Sequence, residues 1–555
     1  MTRAYRLVAL TTTIALVGGT AACGSDRDKS AAEGKGSSDA TFVFAAAGAP
    51  KNFDPIFNDD GESFRVQRQV FETLISHKPG TTELAPGLAE SWPTSPDGKT
   101  ITFSLRKGVK FHDGTPMDAK AVCFNMDRWF SMKGAAAQSQ MIYYSDVFEG
   151  FAKNETDVGE PIYKSCTAKD EATAVLELNR YKGAFPAALA LTAFSISSPT
   201  ALAKYQADEV TQSGDSFSYP PYATEHPVGT GPFSFVKYNK ANGEVELKRN
   251  DDYWGEKAKV GKIIFKVIPD ENARKQELRA GTIDGYDLPN PSDYASLKSD
   301  GFDVAVRDPF NILYLGINQK NPKLQDLRVR QALAYAIDRK ELVQTKMPEG
   351  AEVAKQFQPS TVAGYAEDVQ EYGFDPAKAK KLLADAGASG LPLKFYYPTE
   401  VSRPYMPNPK DYATIIATQL GEAGFKVQLV ARPWNGGYKD DIQQAGKHDI
   451  HLLGWTGDYN DAGNFIGTFF GRAKPEFGTT EARNKDMFQA LAKADAIPGE
   501  AHATAYQQVN RDLMAKWLPA VPISHSPPAI VVAKNIEGLV ASPLTDERFV
   551  TISKK

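Results

Sequence analysis

The chain has few of the residues, and none of the long apolar runs, that would assign it to several common classes of protein. It has 555 residues with only three cysteines and seven histidines, too few for a disulfide-dense scaffold or a histidine-rich metal protein. It contains no Gly-x-Ser-x-Gly, His-Glu-x-x-His or closely paired cysteines, the signatures of serine hydrolases, zinc peptidases and structural zinc sites. The formal charge of −4 gives no sign of the basic face of a nucleic-acid binder.

The first 22 residues have the order of a secretory signal peptide. Arg3 and Arg6 precede a mostly apolar run at 7–17, which is followed by small residues ending at Cys23. The run is shorter than the roughly 20 apolar residues of a membrane-spanning helix and is interrupted by threonines. Cleavage before Cys23 would leave 533 residues with a formal charge of −6, enough chain for two or three folding units.

Residues 20–23, Thr-Ala-Ala-Cys, resemble the lipobox of bacterial lipoproteins, in which the cysteine receives a diacylglycerol group. The resemblance implies that Cys23 is a lipid anchor; an ordinary cysteine beside a plain cleavage site is the alternative. Residues 24–40 are rich in glycine, serine, alanine and alternating charges, and such a segment buries too little apolar surface to order itself. We therefore expect residues 23–40 to tether a globular body to the outer face of the cytoplasmic membrane, on the periplasmic side in a cell with two membranes.

The other two cysteines, Cys123 and Cys166, form an even pair in what would be an oxidising compartment. We predict a disulfide between them, with two buried free thiols as the alternative. A bridge that closes a loop of this length is expected to contribute about 4 kcal/mol to stability in the loop-closure description.

Strand and helix patterns alternate from Thr41 to the carboxyl end, without an internal repeat. Residues 99–111 place Ile101, Phe103 and Leu105 on one face and polar residues on the other, which predicts a half-buried strand. Asp118, Asp326 and Asp375 each precede a helical pattern and are expected to cap a helix. The alternation predicts an α/β body built from several sheets.

Two proline-containing segments, 308–310 and 518–520, are predicted to carry the chain between two lobes. Two such crossings would form a hinge. The expected boundaries are 1–22 for the signal peptide, 23–40 for the tether, 41–307 for lobe I with an inserted subdomain at about 90–230, 308–518 for lobe II, and 519–555 for a return to lobe I.

Five short motifs are spread along the predicted body. They are 84–92 (LAPGLAESW), 103–114 (FSLRKGVKFHDG), 227–233 (PVGTGPF), 249–254 (RNDDYW) and 328–333 (RVRQAL). Together they resemble the extracytoplasmic solute-binding proteins, family 5, of peptide and nickel ABC importers. The resemblance implies a large type II periplasmic-binding-protein fold, in which two lobes, the first with an extra subdomain, close over a ligand. It also implies the permease subunits of an importer as partners, and we expect a monomer.

Segments 402–408 and 454–465 resemble the dipeptide-binding members of this family. In those proteins the arginine of the first segment binds the carboxylate of the peptide, and the first aspartate of the second segment binds its ammonium group. The resemblance therefore implies Arg403 and Asp458 as the two poles of the ligand site. An arginine donates two parallel hydrogen bonds to a carboxylate and an aspartate accepts from an ammonium, so a dry cleft could pair both ends of a zwitterion.

Five further residues complete the predicted ligand-binding set. Gly454 and Thr456 precede the aspartate in an extended run whose backbone groups are expected to bind the ligand as an added strand. Trp434 and Trp455 are expected to wall side-chain pockets, and Tyr405 belongs to the arginine segment. Because main-chain contacts do not read side chains, we expect di- or short oligopeptides to be bound with broad specificity.

Other ligands and another class of protein remain as alternatives. Members of the family also bind glutathione, haem or nickel chelates. An exported hydrolase is the alternative from a different class, because carboxylate pairs for glycoside chemistry are not recognisable from sequence alone. His448 and His451 are close enough in sequence to chelate a metal, but we interpret them as a solvated edge. We expect no catalytic residue, no metal and no cofactor.

Overall fold

A computed structural model of the chain describes residues 39–156, 158–214 and 216–555. The predicted signal peptide, Cys23 and the predicted tether up to residue 38 lie outside these described residues. Helices and strands alternate along the described chain, which confirms the α/β class. In this part of the chain no helix combines the length and the apolar character needed to cross a membrane.

The strands are short and evenly spread along the chain. In the first half they are β1 (Thr41–Ala46), β2 (Ile75–His77), β3 (Leu84–Pro86), β4 (Ala89–Ser91), β5 (Thr100–Leu105), β6 (Tyr163–Asp170), β7 (Thr173–Leu178), β8 (Thr211–Ser213), β9 (Ser216–Ser218), β10 (Phe233–Asn239), β11 (Glu244–Arg249) and β12 (Lys262–Val267). The later strands are β13 (Gly285–Asp287), β14 (Asp303–Val306), β15 (Asn311–Ile317), β16 (Glu352–Val353), β17 (Pro392–Thr399), β18 (Lys426–Pro433), β19 (Ile450–Thr456), β20 (Ala520–His525), β21 (Ala529–Val532), β22 (Ile536–Glu537) and β23 (Ser553–Lys554).

Helices lie in many of the intervals between these strands. They are α1 (Gly61–Val70), α2 (Ala119–Phe130), α3 (Ala135–Gln140), α4 (Ile142–Val147), α5 (Phe185–Ala188), α6 (Pro199–Lys204), α7 (Pro221–Thr224), α8 (Glu271–Ala280) and α9 (Tyr294–Ser299). The later helices are α10 (Leu327–Ala336), α11 (Arg339–Lys346), α12 (Pro376–Asp385), α13 (Pro409–Glu422), α14 (Thr468–Phe470), α15 (Glu481–Asp495) and α16 (Glu500–Asp512). Short 3-10 helices occur at Pro55–Phe57, Thr192–Phe194, Pro291–Asp293, Pro322–Gln325 and Phe549–Thr551. Short π-helices occur at Trp434–Tyr438, Asp440–Gln444, Gly463–Gly467 and Leu513–Trp517.

A seven-stranded sheet has the order β10-β11-β12-β1-β13-β21-β14. Its central strand β1 is parallel to both β12 and β13. Phe42 and Phe44 of β1 are buried and pack with Phe265 and Phe549 in one hydrophobic cluster. Strand β21, from near the carboxyl end, lies antiparallel between β13 and β14, so the end of the chain completes a sheet that its beginning starts.

A six-stranded sheet has the order β16-β20-β15-β19-β17-β18. Every residue of β15 and β20 is buried, as expected for central strands covered on both faces. Strand β19 pairs with β15 along its whole length, but with β17 only at Ile450 and His451. Residues 452–456 of β19 therefore have no strand partner on the β17 side within the described residues.

A four-stranded antiparallel sheet, β4-β5-β7-β6, is formed by chain between β1 and β10 of the seven-stranded sheet. Ile101, Phe103 and Leu105 of β5 are buried and alternate with half-buried neighbours, which confirms the predicted strand. Cys123 of α2 and Cys166 of β6 form a disulfide with a Cα–Cα distance of 5.1 Å. The bridge joins α2 to the edge of this sheet.

The three predicted helix caps are present. Asp118, Asp326 and Asp375 each accept a hydrogen bond from a backbone N–H in the first turn of the helix that follows. Such a cap satisfies a donor that has no partner within the helix and contributes about 1 kcal/mol. These helices therefore begin where short-range chemistry specifies.

A buried carboxylate connects two of the five motifs. Glu72 accepts hydrogen bonds from the Thr230 hydroxyl at 2.8 Å, the Tyr253 hydroxyl at 2.7 Å and the Trp254 indole at 2.8 Å. Burial raises the pKa of Glu72, and the three donors compensate in part for the loss of water around its carboxylate. Thr230 belongs to the Gly-Thr-Gly-Pro motif, which packs here as a turn in the protein core.

The chain passes between the seven-stranded and six-stranded sheets twice. The first passage, 307–310, joins β14 to β15 and includes the first predicted crossing. The second lies at 526–528, between β20 and β21, and the prediction of a crossing at 518–520 is wrong. Strand β20 begins at Ala520 and is buried throughout, so the chain continues through the six-stranded sheet after Pro519 instead of leaving it.

Arg307 and Asn311 tie the two passages together. The buried guanidinium of Arg307 donates to a backbone carbonyl of β21 at 3.1 Å and pairs with Asp287 at 2.8 Å and Glu547 at 2.6 Å. The Asn311 side chain exchanges two hydrogen bonds with the backbone of Ser526, at 2.7 and 3.0 Å. Because removing one partner of a buried ion pair is costly, these contacts hold the two passages side by side.

Candidate functional site

Asp458 follows β19, and its carboxylate is held by two neutral donors. The Tyr143 hydroxyl of α4 lies 3.0 and 3.1 Å from the two carboxylate oxygens, and the Asn464 amide donates to one of them at 3.4 Å. The Asn464 side chain also accepts from the backbone N–H of Asp458 at 2.9 Å, which fixes the loop. Within the described residues, no cationic side chain forms an ion pair with this carboxylate.

The surroundings raise the pKa of Asp458 to about 7. Burial is the first cause because it disfavours the charged form, and Asp146 adds a like charge. The hydrogen bonds from Asn464 and Tyr143 and the charge of Arg68 act in the opposite direction. An ammonium group bound here would supply the missing counter-charge and restore the carboxylate.

Arg403 lies in the loop between β17 and α13. The carbon of its guanidinium is 4.4 Å from the centre of the Trp434 ring, which is itself stacked on Tyr438. The Nε atom of Arg403 is buried without a hydrogen-bond partner among the residues that the structure describes. Stacking on Trp434 orients the guanidinium plane and leaves its N–H groups able to receive a carboxylate.

Tyr405 and Gly454 bring the two predicted segments together. A Cβ atom at Gly454 would lie 2.3 Å from a ring carbon of Tyr405 and 2.2 Å from the carbonyl oxygen of Ile312, so only glycine fits. Burial raises the pKa of Tyr405 to about 12. Trp455 donates from its indole to Asn464 at 3.1 Å and packs against hydrophobic clusters of both the six-stranded and the four-stranded sheets.

The unpartnered edge of β19 runs towards Asp458. Tyr438 donates to the carbonyl of Leu452 at 2.6 Å, so the positions free for another partner begin after that residue. Thr456 is half-buried and is paired with Asn311 on the β15 side only. The edge therefore offers backbone groups that an extended peptide could pair with as an additional strand.

The two predicted poles line different cavities. Asp458 lines a recess of about 20 Å³, and Arg403 lines another of about 10 Å³. A much larger cavity of about 660 Å³ is lined by Trp455 and by Tyr143 and Asn464, the two side chains that hold Asp458. Of these three cavities the largest lies beside Asp458, and none of the three is lined by both poles.

Contacts around this cavity join the second half of the chain to the first. Arg472 pairs with Asp146 at 2.6 Å, and the Asn460 amide donates to the Thr82 hydroxyl at 3.0 Å. The hydrogen bond from Tyr143 to Asp458 also joins the first half of the chain to the second. The parts of the body that carry the six-stranded and four-stranded sheets are therefore in direct contact beside the candidate site.

Comparisons with known proteins decide the family. The family described as "Bacterial extracellular solute-binding proteins, family 5 Middle" matches residues 83–476, more than half of the chain. The chain belongs to this family. The resemblance inferred from the five motifs is confirmed.

Individual relatives of this family 5 protein cover almost its whole length. The dipeptide-binding protein of Escherichia coli (strain K12) is 32% identical over 527 residues, 92% of this chain and 94% of that protein. Heme-binding protein A of Haemophilus influenzae is 32% identical over 550 residues, 96% of each chain. The crystal structure of a dipeptide binding protein from Pseudoalteromonas sp. SM9913 in complex with Met-Leu has a TM-score of 0.79 and 26% identity, and covers 93% of this chain and 100% of that one. The type II periplasmic-binding-protein fold is confirmed.

His448 and His451 are buried, so the prediction of a solvated edge is wrong. Nε2 of His448 lies 2.8 Å from the backbone oxygen of Glu476, and Nε2 of His451 lies 3.1 Å from the Glu476 carboxylate. The same carboxylate accepts from the Tyr314 hydroxyl at 2.7 Å. A central strand has no solvated face, so its polar residues pair internally. No group of three or more possible metal ligands occurs among the described residues.

Sequence reasoning missed Tyr143, Asn464 and the large cavity. Tyr143 lies 315 residues before Asp458 in the chain, on a short helix that carries none of the motifs. Asn464 lies inside the second segment of resemblance, but no role was assigned to it. A polar side chain six residues beyond a predicted ligand aspartate was the one local signal that could have suggested it.

Proposed function

We propose that this family 5 protein captures short peptides with free amino and carboxyl ends outside the cytoplasm and delivers them to the permease subunits of an ABC importer. Asp458 takes the ammonium group of the ligand, and Arg403 takes its carboxylate. The observation that carries the proposal is the Asp458 site, a carboxylate held by two neutral donors and without an ion pair to any residue that the structure describes. The dipeptide-binding relatives support the same ligand class.

Three further features support a peptide ligand. The orphan Nε of Arg403 requires an acceptor, and a terminal carboxylate is one that a guanidinium binds with two hydrogen bonds. The unpartnered edge at Gly454 to Thr456 suits an extended main chain. Trp434 and Trp455 then stand beside the ligand, where their rings contact side chains without selecting one sequence.

We infer that two lobes close over the ligand about the two passages between the sheets. Lobe I comprises residues 41–307 with the subdomain at about 90–230, and lobe II follows from 308. The return to lobe I begins at about 526, later than the sequence suggested. The contacts of Arg472 with Asp146 and of Asn460 with Thr82 support a closed arrangement.

We also propose how the protein is anchored to the membrane and that it needs no cofactor. Cys23 carries the lipid, residues 24–40 form the tether, and the body acts as a monomer at the outer face of the cytoplasmic membrane. Capture and delivery of a ligand need no bond to be broken, so we propose a receptor without catalytic groups, metal or cofactor. The family description, extracellular solute-binding proteins, supports this location.

The test is calorimetric titration of Ala-Leu, its N-acetyl form and its amide. Asp458→Asn should cost about 3–5 kcal/mol of binding free energy towards Ala-Leu, and Arg403→Met a similar amount, because each leaves a buried ligand charge unpaired. N-acetylation should weaken binding to the native protein strongly and to Asp458→Asn much less. The matched control is Asp486→Asn, which makes the same change at an exposed position.

The pairing of each variant with one chemical group of the ligand makes the test specific. If acetylation weakens binding to the native protein and to Asp458→Asn equally, the ammonium group does not bind at Asp458. Native affinity for Ala-Leu in both site variants would reject the peptide proposal as a whole.

A further inference from the structure

The cavity of about 660 Å³ beside Asp458 is lined by aromatic rings and charged groups together. Tyr143, Tyr181, Trp455, Tyr459 and Tyr506 supply the rings. Ligand pockets in proteins have volumes of roughly 300–1,000 Å³, so there is room for a long side chain. Because Tyr143 hydrogen-bonds Asp458 and also lines the cavity, the cavity opens beside that carboxylate.

The three cations of the lining are already neutralised by acids. Arg180 and Lys182 both pair with Glu149, the latter at 3.0 Å, and Arg472 pairs with Asp146 at 2.6 Å. Lys182 also donates to two backbone carbonyls, at 2.7 and 3.3 Å. These cations therefore have few donors left for an anionic ligand group.

Asp495 is different from the other charged residues of the lining. It is the last residue of α15 and is half-buried, and its carboxylate has no hydrogen bond or ion pair with any residue that the structure describes. Burial raises its pKa. Its backbone carbonyl accepts from the N–H of Gly183 at 3.1 Å, so the end of the helix is held independently of the side chain.

The cavity extends from the side chains that hold Asp458 to Asp495. Asn464 donates to the Asp458 carboxylate at 3.4 Å and lines the cavity. The neighbouring Gly463 faces the far wall, where a Cβ atom would lie 3.8 Å from Oδ1 of Asp495 and 3.1 Å from the Tyr506 hydroxyl. An ammonium group bound at Asp458 would thus lie next to the part of the cavity wall that Tyr143 and Asn464 form.

We propose that the cavity receives the side chain of the amino-terminal residue of the ligand, and that Asp495 selects a lysine or arginine there. The inference rests on the proposed function, in which Asp458 holds the ligand ammonium. The lining carries three cations and three acids, so selection comes from Asp495, the one acid of the lining without an ion pair to a described residue, and not from net charge. The aromatic rings suit the aliphatic stem of such a side chain.

The test measures the affinities of Lys-Ala, Leu-Ala and Glu-Ala by calorimetry. Each dipeptide is titrated into the native protein, Asp495→Asn and the control Asp486→Asn. Asp486 is exposed on the same helix as Asp495. The native protein and the control should bind Lys-Ala about tenfold more tightly than Leu-Ala, as for a hydrogen bond to a charged group. Asp495→Asn, which preserves the shape of the side chain, should abolish this difference and leave the affinity for Leu-Ala unchanged within about twofold.

The outcomes separate this inference from the proposal on which it rests. If the native protein binds Lys-Ala no better than Leu-Ala, or Glu-Ala best of the three, the role of Asp495 is rejected while the peptide site stands. Equal weakening of Lys-Ala and Leu-Ala in Asp495→Asn would show that Asp495 only supports the structure. If none of the three dipeptides binds, the proposed function itself is wrong, and this inference is rejected with it.

Discussion

The affinity for dipeptides should fall as the pH is lowered through about 7, because Asp458 must be charged to hold an ammonium group. Without a ligand, burial in the closed arrangement raises the pKa of Asp458 to about 7. A bound ammonium group favours the carboxylate and lowers that pKa, so binding is linked to release of the proton that the free protein carries. The full affinity is therefore present above the pKa of the free protein and is lost below it.

The size of the effect follows from the fraction of Asp458 that is protonated. At one pH unit below the pKa about nine-tenths of the molecules carry the proton, so the association constant falls about tenfold at pH 6 and about 100-fold at pH 5. The amino group of the ligand has a pKa of about 7.7–8.0 and its carboxyl group about 3.3–3.7. The ligand thus stays a zwitterion from pH 5 to 7, and the decline reports on the protein.

Calorimetric titration of Ala-Leu at pH 5, 6 and 7, in two buffers with different ionisation enthalpies, measures both the affinity and the protons released. We expect about 0.9 proton to be released at pH 6. Asp458→Asn should bind more weakly at every pH and show neither the decline nor the proton release. Constant affinity across this range in the native protein, or the same decline in Asp458→Asn, would refute the reasoning.

Two predictions concern closure and anchoring. The radius of gyration from small-angle scattering should decrease when Ala-Leu saturates the protein, because the proposed closure brings the lobes together about the passages at 307–310 and 526–528. Equal radii with and without ligand would contradict closure. Replacement Cys23→Ser should move the exported protein from the membrane fraction to the soluble extracytoplasmic fraction, because the acceptor of the lipid is lost. A Cys23→Ser protein that still sediments with membranes would argue against lipid anchoring at this residue.

Short-range chemistry in the sequence predicted short-range structure. Asp118, Asp326 and Asp375 cap their helices because a cap depends on one side chain and the next three backbone N–H groups. The strand at 101–105 was recognisable because one of its faces is buried and the other is not. These signals need no knowledge of distant parts of the chain.

The sequence predicts the second crossing too early, because Pro519 suggests that the chain leaves the six-stranded sheet there. Pro519 precedes β20, and Pro522 lies within it, where proline removes a donor from the ladder. The strand forms nevertheless because it is buried in the middle of the six-stranded sheet, between β15 and β16. Tertiary burial prevailed over a local preference.

The environment of the candidate site depends on contacts that no sequence pattern encodes. The partner of Asp458, Tyr143, is distant in the chain, and Asp495 is exceptional only because its neighbours pair with one another. The resemblance named Arg403 and Asp458 as residues, but not the large cavity that Tyr143 and Asn464 line beside Asp458. A charged side chain can be recognised as unpaired only when the positions of all nearby charged side chains are known.

The position of β21 has a consequence for the order in which the molecule can form. This strand lies between β13 and β14, yet it consists of residues 529–532. The seven-stranded sheet therefore stays incomplete until residues 529–532 have been synthesised. Because domains generally fold as units during synthesis, an interior strand that is made this late postpones the folding of the whole sheet.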